Sequence, residues 1–305
     1  MQNTSNILMI SPVAFGFNAQ TAENNFFQKN DNTQSSEIQR LALAEFETMT
    51  EKLRAKGINV IVIKDTYEPH TPDSIFPNNW VSFHKNGAVV LYPMFAENRR
   101  QERREDILNH LQQIGFQYNT IVDFTHYEKE NRFLEGTGSM ILDRENGVAY
   151  AALSERTDEA IFEKFCKKLD FFPCAFRAFQ TVGKERKPIY HTNVMMCVAD
   201  TYAVVCLEAL DLFWEKYFLR DKLLSSNKKI IEISEEQMHT FAGNMLQVQN
   251  VDGKKFLVMS QTAYNSLDNE QIAQLSEFNE IITVEIPAIE KYGGGSARCM
   301  MAEIF

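Results

Sequence analysis

Paired β-runs recur along this 305-residue chain and constrain its fold more than any other feature. Four segments each read as two apolar runs joined by a short polar turn. Three of the turns carry Asn86-Gly87, Asn146-Gly147 and Asp252-Gly253, which are the strongest short-range signals for a β-hairpin. The other turn, Ala199-Asp200-Thr201, lacks the glycine. The repeating unit is roughly 55 residues long. Its hairpins start at Asn79, Gly138, Asn193 and Asn244.

Amphipathic stretches separate the hairpins. Apolar residues at helical spacing predict helices over 36–56, 99–114, 155–169, 210–224 and 266–278. Short apolar runs at 58–63 and 229–233 predict strands after two of them, so the unit is hairpin, helix, strand. A fifth, truncated copy starts at Arg298, and we expect the N-terminal strand at 7–10 to complete it. Five units closed in a ring would leave few exposed sheet edges.

Composition excludes several classes of protein. A net charge of -10 argues against nucleic acid or an anionic membrane as partner, because both require basic patches. No apolar stretch approaches the roughly 20 residues that span a bilayer, and the N-terminus lacks the basic start of a signal peptide. The five cysteines form no Cys-x-x-Cys pair, and free thiols suit a reducing compartment. We expect a cytoplasmic protein with one domain over 1–305.

Residues able to do chemistry lie at the starts of the hairpins. If the ring closes, the first strand of every unit runs toward a common axis, so these residues would converge. A thiol with a remote imidazole and acidic partners is the composition expected for thiolate catalysis. In hairpin order the candidates are Asp73, Asn78, Asn79, Glu135, His191, Asn193 and Cys299.

Several of these features also have structural interpretations. The other four cysteines lie in or beside apolar patterns and are expected to be buried small residues. A metal site built from His191, Cys197 and Cys206 matches no known ligand spacing, so no metal is predicted. The triplet Gly293 to Gly295 is not a phosphate loop, since no Gly-Lys-Ser/Thr follows it. We expect a tight turn or a lip over the site there.

The Arg- and Glu-rich run at 97–106 allows two interpretations. It is either a solvated helix face with ion pairs four residues apart or the source of an arginine that anchors a substrate carboxylate. The candidates for that anchor are Arg99, Arg100 and Arg104.

Four motifs that contain these candidates, in their order along the chain, resemble those of the pentein superfamily. That superfamily modifies guanidino groups and includes arginine deiminases, dimethylarginine hydrolases and arginine:glycine amidinotransferases. The resemblance spans nearly the whole chain and implies an α/β fold, a five-bladed propeller with pseudo-fivefold hairpin–helix–strand repeats. The matching motifs are Asp73 in D-x-x-F-x-x-N, Leu134-Glu135-Gly136, His191 with a polar residue two later, and Gly294-Gly295-x-x-x-Cys299-Met300.

The resemblance implies a role for each matched residue. The Cys299 thiolate would attack the central carbon of a small guanidino or ureido substrate, and His191 would protonate the leaving nitrogen and then deprotonate a water. Glu135 would orient His191 or substrate N–H groups. Asp73 would accept hydrogen bonds from the substrate, with Asn78 and Asn79 beside it. This chemistry requires no cofactor.

One departure from the family concerns the substrate. Arginine deiminases place an aspartate two residues after the histidine, where this chain has Asn193. A neutral amide donates as well as accepts, so it suits a ureido oxygen better than a guanidinium. The prediction is therefore hydrolysis of citrulline to ornithine, as in the citrulline-utilising branch. A second departure is Gly138-Ser139, where many deiminases have Gly-Asp.

Other functions stay open at this point. They are arginine deiminase or dimethylarginine hydrolase activity, amidino transfer to an amine, and a non-catalytic binding protein of the same fold. The complete set of thiol, imidazole and acids argues against the last, since a pure binder has no use for a thiolate. The sequence leaves both a monomer and a homo-oligomer open.

Overall fold

The computed structural model describes residues 1–305. It contains seventeen strands, numbered here in chain order: β1 Asn6–Ser11, β2 Asn59–Lys64, β3 Val81–Phe83, β4 Ala88–Leu91, β5 Thr120–Asp123, β6 Ile141–Asp143, β7 Val148–Ala152, β8 Phe172–Phe176, β9 Phe179–Val182, β10 Glu185–Pro188, β11 Met196–Val198, β12 Tyr202–Val205, β13 Lys229–Glu232, β14 Leu246–Gln249, β15 Lys255–Ser260, β16 Glu280–Val284 and β17 Ala302–Ile304.

Helices of one to six turns connect these strands. They are α1 Ser35–Ala55, α2 Glu105–Gln113, α3 Gly136–Ser139, α4 Glu159–Leu169, α5 Thr192–Met195, α6 Phe213–Ser225, α7 Glu235–His239, α8 Gln261–Ser266, α9 Asn269–Ser276 and α10 Pro287–Gly293. No helix combines the length and the apolar character that crossing a bilayer requires.

Five three-stranded sheets share one topology. In each, an antiparallel pair of strands is extended by a third strand that runs parallel to the second strand of the pair. The sheets are β3-β4-β5, β6-β7-β8, β11-β12-β13, β14-β15-β16 and β17-β1-β2. The last sheet confirms that the N-terminal strand completes the truncated copy, with Leu8 opposite Ala302 in the antiparallel pair and opposite Ile61 in the parallel pair.

The backbone confirms that the Asn-Gly and Asp-Gly pairs form hairpin turns. Gly87, Gly147 and Gly253 have φ of 79, 63 and 81°, a region that residues with a side chain rarely adopt. The N-terminal apolar run is continuous rather than alternating because Ile7 to Ile10 are buried on both faces of β1.

The structure corrects several predicted helix boundaries. The helix expected over 99–114 is α only from Glu105, because the chain before it forms a 3-10 turn, Glu97–Glu102, whose Arg99 points inward. The helix expected over 266–278 is α9, Asn269–Ser276, and it begins only after Asp268, whose carboxylate accepts from the Gln271 N–H. The preceding helix α8, Gln261–Ser266, was not predicted. Similarly, α4 begins only after Asp158, whose carboxylate accepts from the Ile161 N–H.

One sheet was not predicted at all. Strands β9 and β10 form a separate two-stranded sheet, and β10 reads Glu-Arg-Lys-Pro, which carries no apolar alternation. The neighbouring phenylalanine-rich stretch is only partly in the core: Phe176 is buried, whereas Phe172 is 49% exposed and lies under the Lys222 ammonium.

Single helical turns precede most of the hairpins and bring their starts together. The turn Pro77–Asn79 leads into β3, α3 into β6, α5 into β11, and the turn Ala297–Met300 into β17. α3 packs on both the Pro77–Asn79 turn and α5, and the Pro77–Asn79 turn packs on the Ala297–Met300 turn. Residues from four distant parts of the sequence therefore meet at one place.

Candidate active site

A narrow cavity lies where these turns meet. Its walls include Asp73, Asn79, His191 and Cys299, as the sequence predicted. Its free volume of about 20 Å³ admits roughly one water molecule. The cover consists of the triplet Gly293 to Gly295, for which the sequence allowed a tight turn or a lip, and the loop containing Thr21 and Asn25, which the sequence did not assign to the site.

Cys299 sits in the turn Ala297–Met300 and is 4% exposed. Its sulfur accepts hydrogen bonds from two side-chain amides, at 3.2 Å from Nδ2 of Asn244 and 3.4 Å from Nδ2 of Asn193. The backbone N–H of Cys299 donates to the Ser296 carbonyl at 2.9 Å, which fixes the turn. The sulfur is thus held in a polar environment of N–H donors.

The remaining four cysteines differ from Cys299. They are buried, unpaired thiols, and burial raises the pKa of each to about 12, so they stay protonated at neutral pH. These are Cys166, Cys174, Cys197 and Cys206. The structure contains no group of three or more His, Cys, Asp or Glu side chains arranged to hold a metal ion, so His191, Cys197 and Cys206 form no such group.

His191 and Glu135 form a buried pair. Each is the residue that precedes a one-turn helix, His191 before α5 and Glu135 before α3, and their Nε2 and Oε2 atoms are 2.7 Å apart. Oε1 of Glu135 accepts from the Phe95 backbone N–H at 2.9 Å. Nη1 of Arg156 lies 3.5 Å from Oε2. The carboxylate is therefore surrounded by donors.

These surroundings set the charges of the pair. Burial lowers the pKa of His191 to about 4, against the opposing effect of the Glu135 hydrogen bond. Burial would raise the pKa of Glu135, but Arg156 and His191 outweigh it and hold that pKa well below its usual range. At neutral pH the carboxylate is ionised and the imidazole neutral. Because a carboxylate only accepts, His191 carries its proton on Nε2, and Nδ1 is the nitrogen free to exchange a proton.

Gly138 keeps this nitrogen accessible. A methyl group at position 138 would lie 2.8 Å from Nδ1 of His191 and 2.4 Å from Nδ2 of Asn79. Both distances are shorter than any ordinary contact, so no larger residue fits there without displacing one of these groups. Gly138, which this chain shares with the Gly-Asp pattern of many deiminases, thus has a steric reason; the departure from that pattern lies at Ser139.

Asp73 presents one satisfied and one unsatisfied oxygen. Its Oδ2 accepts from Asn18 at 2.8 Å and from the Thr21 hydroxyl at 3.1 Å, and lies 3.9 Å from Nε of Arg99. Its Oδ1 is buried and has no partner in the protein. Burial raises the pKa of Asp73 above its ordinary value, although Arg99, Asn18 and Thr21 oppose that rise. Oδ1 is an acceptor that awaits a donor.

Asn79 has the complementary arrangement. Nη1 of Arg99 donates to Asn79 Oδ1 at 2.9 Å, which fixes the amide because a guanidinium offers no acceptor. The Nδ2 group of Asn79 is consequently the free end, and it is buried without a partner. The cavity is therefore lined by an unsatisfied acceptor on Asp73 and an unsatisfied donor on Asn79.

Arg99 belongs to the structure of the site and is not a solvated surface residue. It is 2% exposed and its fork is occupied by Glu102, at 2.8 Å from Nε and 3.0 Å from Nη2. With Nη1 on Asn79, every nitrogen of its guanidinium is used. Arg100 and Arg104 do not line the cavity. None of the three arginines proposed from the sequence is thus free to anchor a substrate carboxylate.

Two of the predicted substrate-binding residues do not line the cavity. Nδ2 of Asn193 donates to the Cys299 sulfur, so Asn193 contacts the thiol without lining the cavity. Asn78 is fully buried and its Nδ2 reaches Thr137 at 3.4 Å. In both cases a neighbouring protein group takes the amide that the sequence suggested for the substrate.

The sequence missed other residues of the site. Arg156 is 1% exposed, lines the cavity and is held by Asn24 and the Thr21 carbonyl, at 2.8 and 2.7 Å. Tyr190 lines the cavity and donates to the Gly294 carbonyl at 2.8 Å. Asn244 was recognisable only as the start of the fourth hairpin, a position equivalent to other site residues.

Comparison with protein families identifies one whose model covers nearly the whole chain. Residues 11–305 match the model of the family described as N,N dimethylarginine dimethylhydrolase, eukaryotic. No curated protein matches the chain.

Solved structures of low sequence identity share the mixed α/β fold. The apo form of ArgZ, an arginine dihydrolase from the ornithine–ammonia cycle in cyanobacteria, has a TM-score of 0.74 at 18% identity over 98% of this chain and 40% of that chain. This chain thus spans well under half of full-length ArgZ.

Two shorter structures match along their whole length. The N-terminal domain of ArgZ, in a cysteine-to-serine variant bound to substrate, has a TM-score of 0.72 at 17% identity, covering 98% of this chain and 97% of that chain. A cysteine-to-serine variant of DDAH from Pseudomonas aeruginosa, complexed with citrulline, has a TM-score of 0.66 at 16% identity and covers 100% of both chains.

Proposed function

The chain belongs to the N,N dimethylarginine dimethylhydrolase family, within the pentein superfamily of guanidino-modifying enzymes, and is a hydrolase of carbon–nitrogen bonds other than peptide bonds. On that premise we propose that its substrate is citrulline, which it hydrolyses to ornithine, ammonia and carbon dioxide through a covalent intermediate on Cys299. The observation that carries the proposal is the pair of unsatisfied atoms in the cavity, Asp73 Oδ1 and Asn79 Nδ2.

A ureido group satisfies both atoms. Its NH₂ donates to Asp73 Oδ1 and its oxygen accepts from Asn79 Nδ2. A guanidinium has only N–H donors and would leave Nδ2 of Asn79 buried without an acceptor. An unsatisfied buried donor costs about 1–3 kcal/mol, which is roughly a tenfold to hundredfold preference for the ureido group. Asn79, and not Asn193, is therefore the amide that would distinguish a ureido group from a guanidinium.

Arg156 is the best candidate to bind the carboxylate of an amino acid substrate. Unlike Arg99, it keeps one nitrogen, Nη1, with only a 3.5 Å contact to Glu135. Its cationic fork lies against the Tyr190 ring, 5.0 Å from the centroid, and faces the same cavity. A carboxylate there would gain charge-assisted hydrogen bonds.

The cavity must widen before an amino acid enters, because its present volume holds only about one water. Several hydrogen bonds hold the cover in place. Among them are those from Asn18 and Thr21 to Asp73, and from Asn25 to the Gly293 and Gly294 carbonyls at 3.4 and 3.3 Å. Binding of substrate to Asp73 would compete with none of these contacts, since it uses the other oxygen.

The first half of the reaction forms the covalent intermediate. The Cys299 sulfur attacks the ureido carbon as a thiolate, and its proton passes to Nδ1 of His191. The resulting imidazolium is stabilised by Glu135, 2.7 Å from Nε2, and delivers that proton to the departing nitrogen. Ammonia leaves, and the substrate carbon remains bonded to sulfur as a thiocarbamate.

The second half releases the product. A water attacks the thiocarbamate carbon while its proton passes to His191. The carbon–sulfur bond breaks and the Cys299 thiolate is restored. The released carbamic acid decomposes to ornithine and carbon dioxide, so one water is consumed for each ammonia and carbon dioxide formed. His191 then returns the proton taken from water to the Cys299 sulfur, so the thiol and the neutral imidazole are both regenerated.

A second candidate is hydrolysis of a dimethylated arginine or of arginine, favoured by the family match and by Asp73, whose free oxygen would accept from a guanidinium. The two candidates share the nucleophile and differ in what Asn79 contacts.

We also propose that residues 1–305 form one catalytic domain in which the five sheets close into a five-bladed propeller. Packing of β17 on β3, β6 on β11 and β11 on β14 supports this arrangement. Removal of residues 1–11 deletes the central strand of one sheet, so the truncated chain should lose its cooperative urea transition. A truncated chain that unfolds like wild type would contradict the closed ring.

The function is tested by measuring ammonia and ornithine released from citrulline, arginine, dimethylarginine and agmatine, with and without glycine. We expect citrulline to be the best substrate, activity to vanish in Cys299→Ser, and glycine to have no effect. The matched control Cys206→Ser alters a buried thiol away from the cavity and should keep activity. Preference for dimethylarginine or arginine would support the second candidate, and guanidinoacetate formed from glycine would identify a transferase.

A further inference from the structure

The Cys299 sulfur receives two N–H donors from two different hairpin starts. Asn244 precedes β14 and Asn193 lies in α5, and both side chains are fully buried. Neither residue lines the cavity, so neither amide is placed to contact a substrate bound there. Their common contact is the sulfur, at 3.2 and 3.4 Å.

The orientation of Asn244 is fixed by the protein. Its Oδ1 accepts the backbone N–H of Arg298 at 3.0 Å, so its NH₂ group must point the other way. One N–H of that group donates to the Asn193 carbonyl at 2.9 Å, and the other meets the sulfur. All three polar contacts of this amide are therefore used, and it cannot turn without losing each of them.

Gly243 allows this close approach. A methyl group there would lie 2.3 Å from the Val194 carbonyl oxygen and 2.6 Å from the Met195 carbonyl carbon. Only glycine lets the start of the fourth hairpin pack directly on α5. The sequence Ala-Gly-Asn at 242–244 thus combines the residue that permits the contact with the residue that makes it.

The charged groups near the sulfur do not replace these donors. The cavity that Cys299 lines also contains Asp73, Arg99, Arg156, Tyr190 and His191. Arg99 is paired with Glu102 and Arg156 contacts Glu135, while His191 is neutral at pH 7. Arg298 directs its guanidinium to Glu303, at 3.3 Å. The amides are the groups within hydrogen-bonding distance of the sulfur.

We propose that Asn244, assisted by Asn193, is a catalytic residue that stabilises the Cys299 thiolate by N–H···S hydrogen bonds. The proposal rests on the proposed function, because it assumes that Cys299 reacts as a thiolate. A charged acceptor binds an N–H donor about twice as strongly as a neutral one, so the two bonds favour the thiolate over the thiol. They also favour departure of the sulfur from the thiocarbamate in the second half of the reaction, when negative charge returns to it.

The test measures the thiolate directly, without substrate. The ultraviolet absorbance of the thiolate is followed against pH for wild type and variants, and the signal of Cys299→Ser is subtracted to remove the other cysteines and the tyrosines. Replacing Asn244 by Asp removes both N–H donors and keeps the shape. We expect the thiolate signal of Asn244→Asp to appear about one to two pH units higher than that of wild type.

The buried amide Asn279 supplies a matched control. Its Nδ2 donates to the Leu275 carbonyl and its Oδ1 accepts from Gln247 and Tyr202, so none of its hydrogen bonds reaches the sulfur. Asn279→Asp should leave the thiolate signal at the wild-type pH. If Asn244→Asp does not fold, as judged by circular dichroism, Asn193→Ala carries the test, and its signal should move upward by about half a unit or more.

The outcomes separate this proposal from the function on which it rests. If the thiolate signal appears at the same pH in the folded variants as in wild type, the role of the amides is overturned and the assignment of the nucleophile stands. A wild type with neither a Cys299 thiolate signal nor ammonia release contradicts both proposals. In agreement with the proposal, the folded variants should also lose kcat on citrulline by tenfold or more with little change in KM, since neither side chain lines the cavity.

Discussion

Replacement of Glu135 by Gln tests the acid–base pair most sharply. The amide keeps the shape and the hydrogen bond from the Phe95 N–H, but it removes the negative charge 2.7 Å from Nε2 of His191. The neutral imidazole loses its acceptor, and the imidazolium formed during attack loses its counter-ion. Both groups are buried, at 0 and 3% exposure, so water cannot substitute for the carboxylate.

The size of the effect follows from burial. Removing one partner of a buried ion pair costs about 3–5 kcal/mol. If that cost falls on the transition state, in which His191 is charged, kcat decreases by about 10²–10⁴-fold. Because Glu135 does not line the cavity, KM for citrulline should change by less than about threefold.

The assay is the initial rate of ammonia release from citrulline, with kcat and KM determined separately. Glu128→Gln serves as the matched control, since Glu128 is also a partly buried acid paired with arginine, 2.6 Å from Arg103, but lies outside the cavity. It should keep kcat within about twofold. A Glu135→Gln enzyme that folds and retains kcat within tenfold would refute the assignment of Glu135 to His191.

Three further results are expected. Burial lowers the pKa of His191 to about 4 from the ordinary 6.5, so its stabilising contribution is complete above pH 6.5 and is lost as pH falls toward 4. In His191→Gln the urea midpoint should therefore fall less steeply with acid than in wild type. Equal slopes for the two proteins would contradict this. Asn79→Asp replaces the free donor by an acceptor, so the ratio of kcat/KM for citrulline to that for arginine should fall by about 10² or more; an unchanged ratio would exclude ureido recognition by Asn79. Gly138→Ala places a methyl group 2.8 Å from His191 Nδ1 and should lower kcat over tenfold, whereas Gly16→Ala, with nothing within 4 Å, should match wild type.

The repeat could be predicted because its signals are local. The Asn-Gly and Asp-Gly turns require a positive φ, and each apolar run needs burial, so the four hairpins appear in the sequence without knowledge of tertiary contacts. The starts of α4 and α9 were predicted too early because Asp158 and Asp268 cap these helices inside the amphipathic pattern. Strand β10 carries charged residues, and only its pairing with β9 makes it a strand.

The site could be predicted where the side chain carries a nucleophilic or acid–base group. Cys299, His191 and Glu135 were identified because thiol, imidazole and carboxylate at hairpin starts suggest a reaction. Arg156 and Asn244 were missed because a buried arginine or amide differs from a surface one only through its partners. Those partners lie 132 and 55 residues away in the chain.

The most direct test of the account follows the ureido carbon. Citrulline labelled with ¹³C at that carbon is mixed with the enzyme, the reaction is quenched in acid during turnover, and the peptide containing Cys299 is analysed by mass spectrometry. We expect a labelled adduct on Cys299 alone, its accumulation in Glu135→Gln if the second half is slowed more than the first, and release of the label as carbon dioxide. Labelled carbon dioxide formed by wild type at full rate, with no adduct detected on Cys299 in either enzyme and with activity retained in Cys299→Ser, would contradict it.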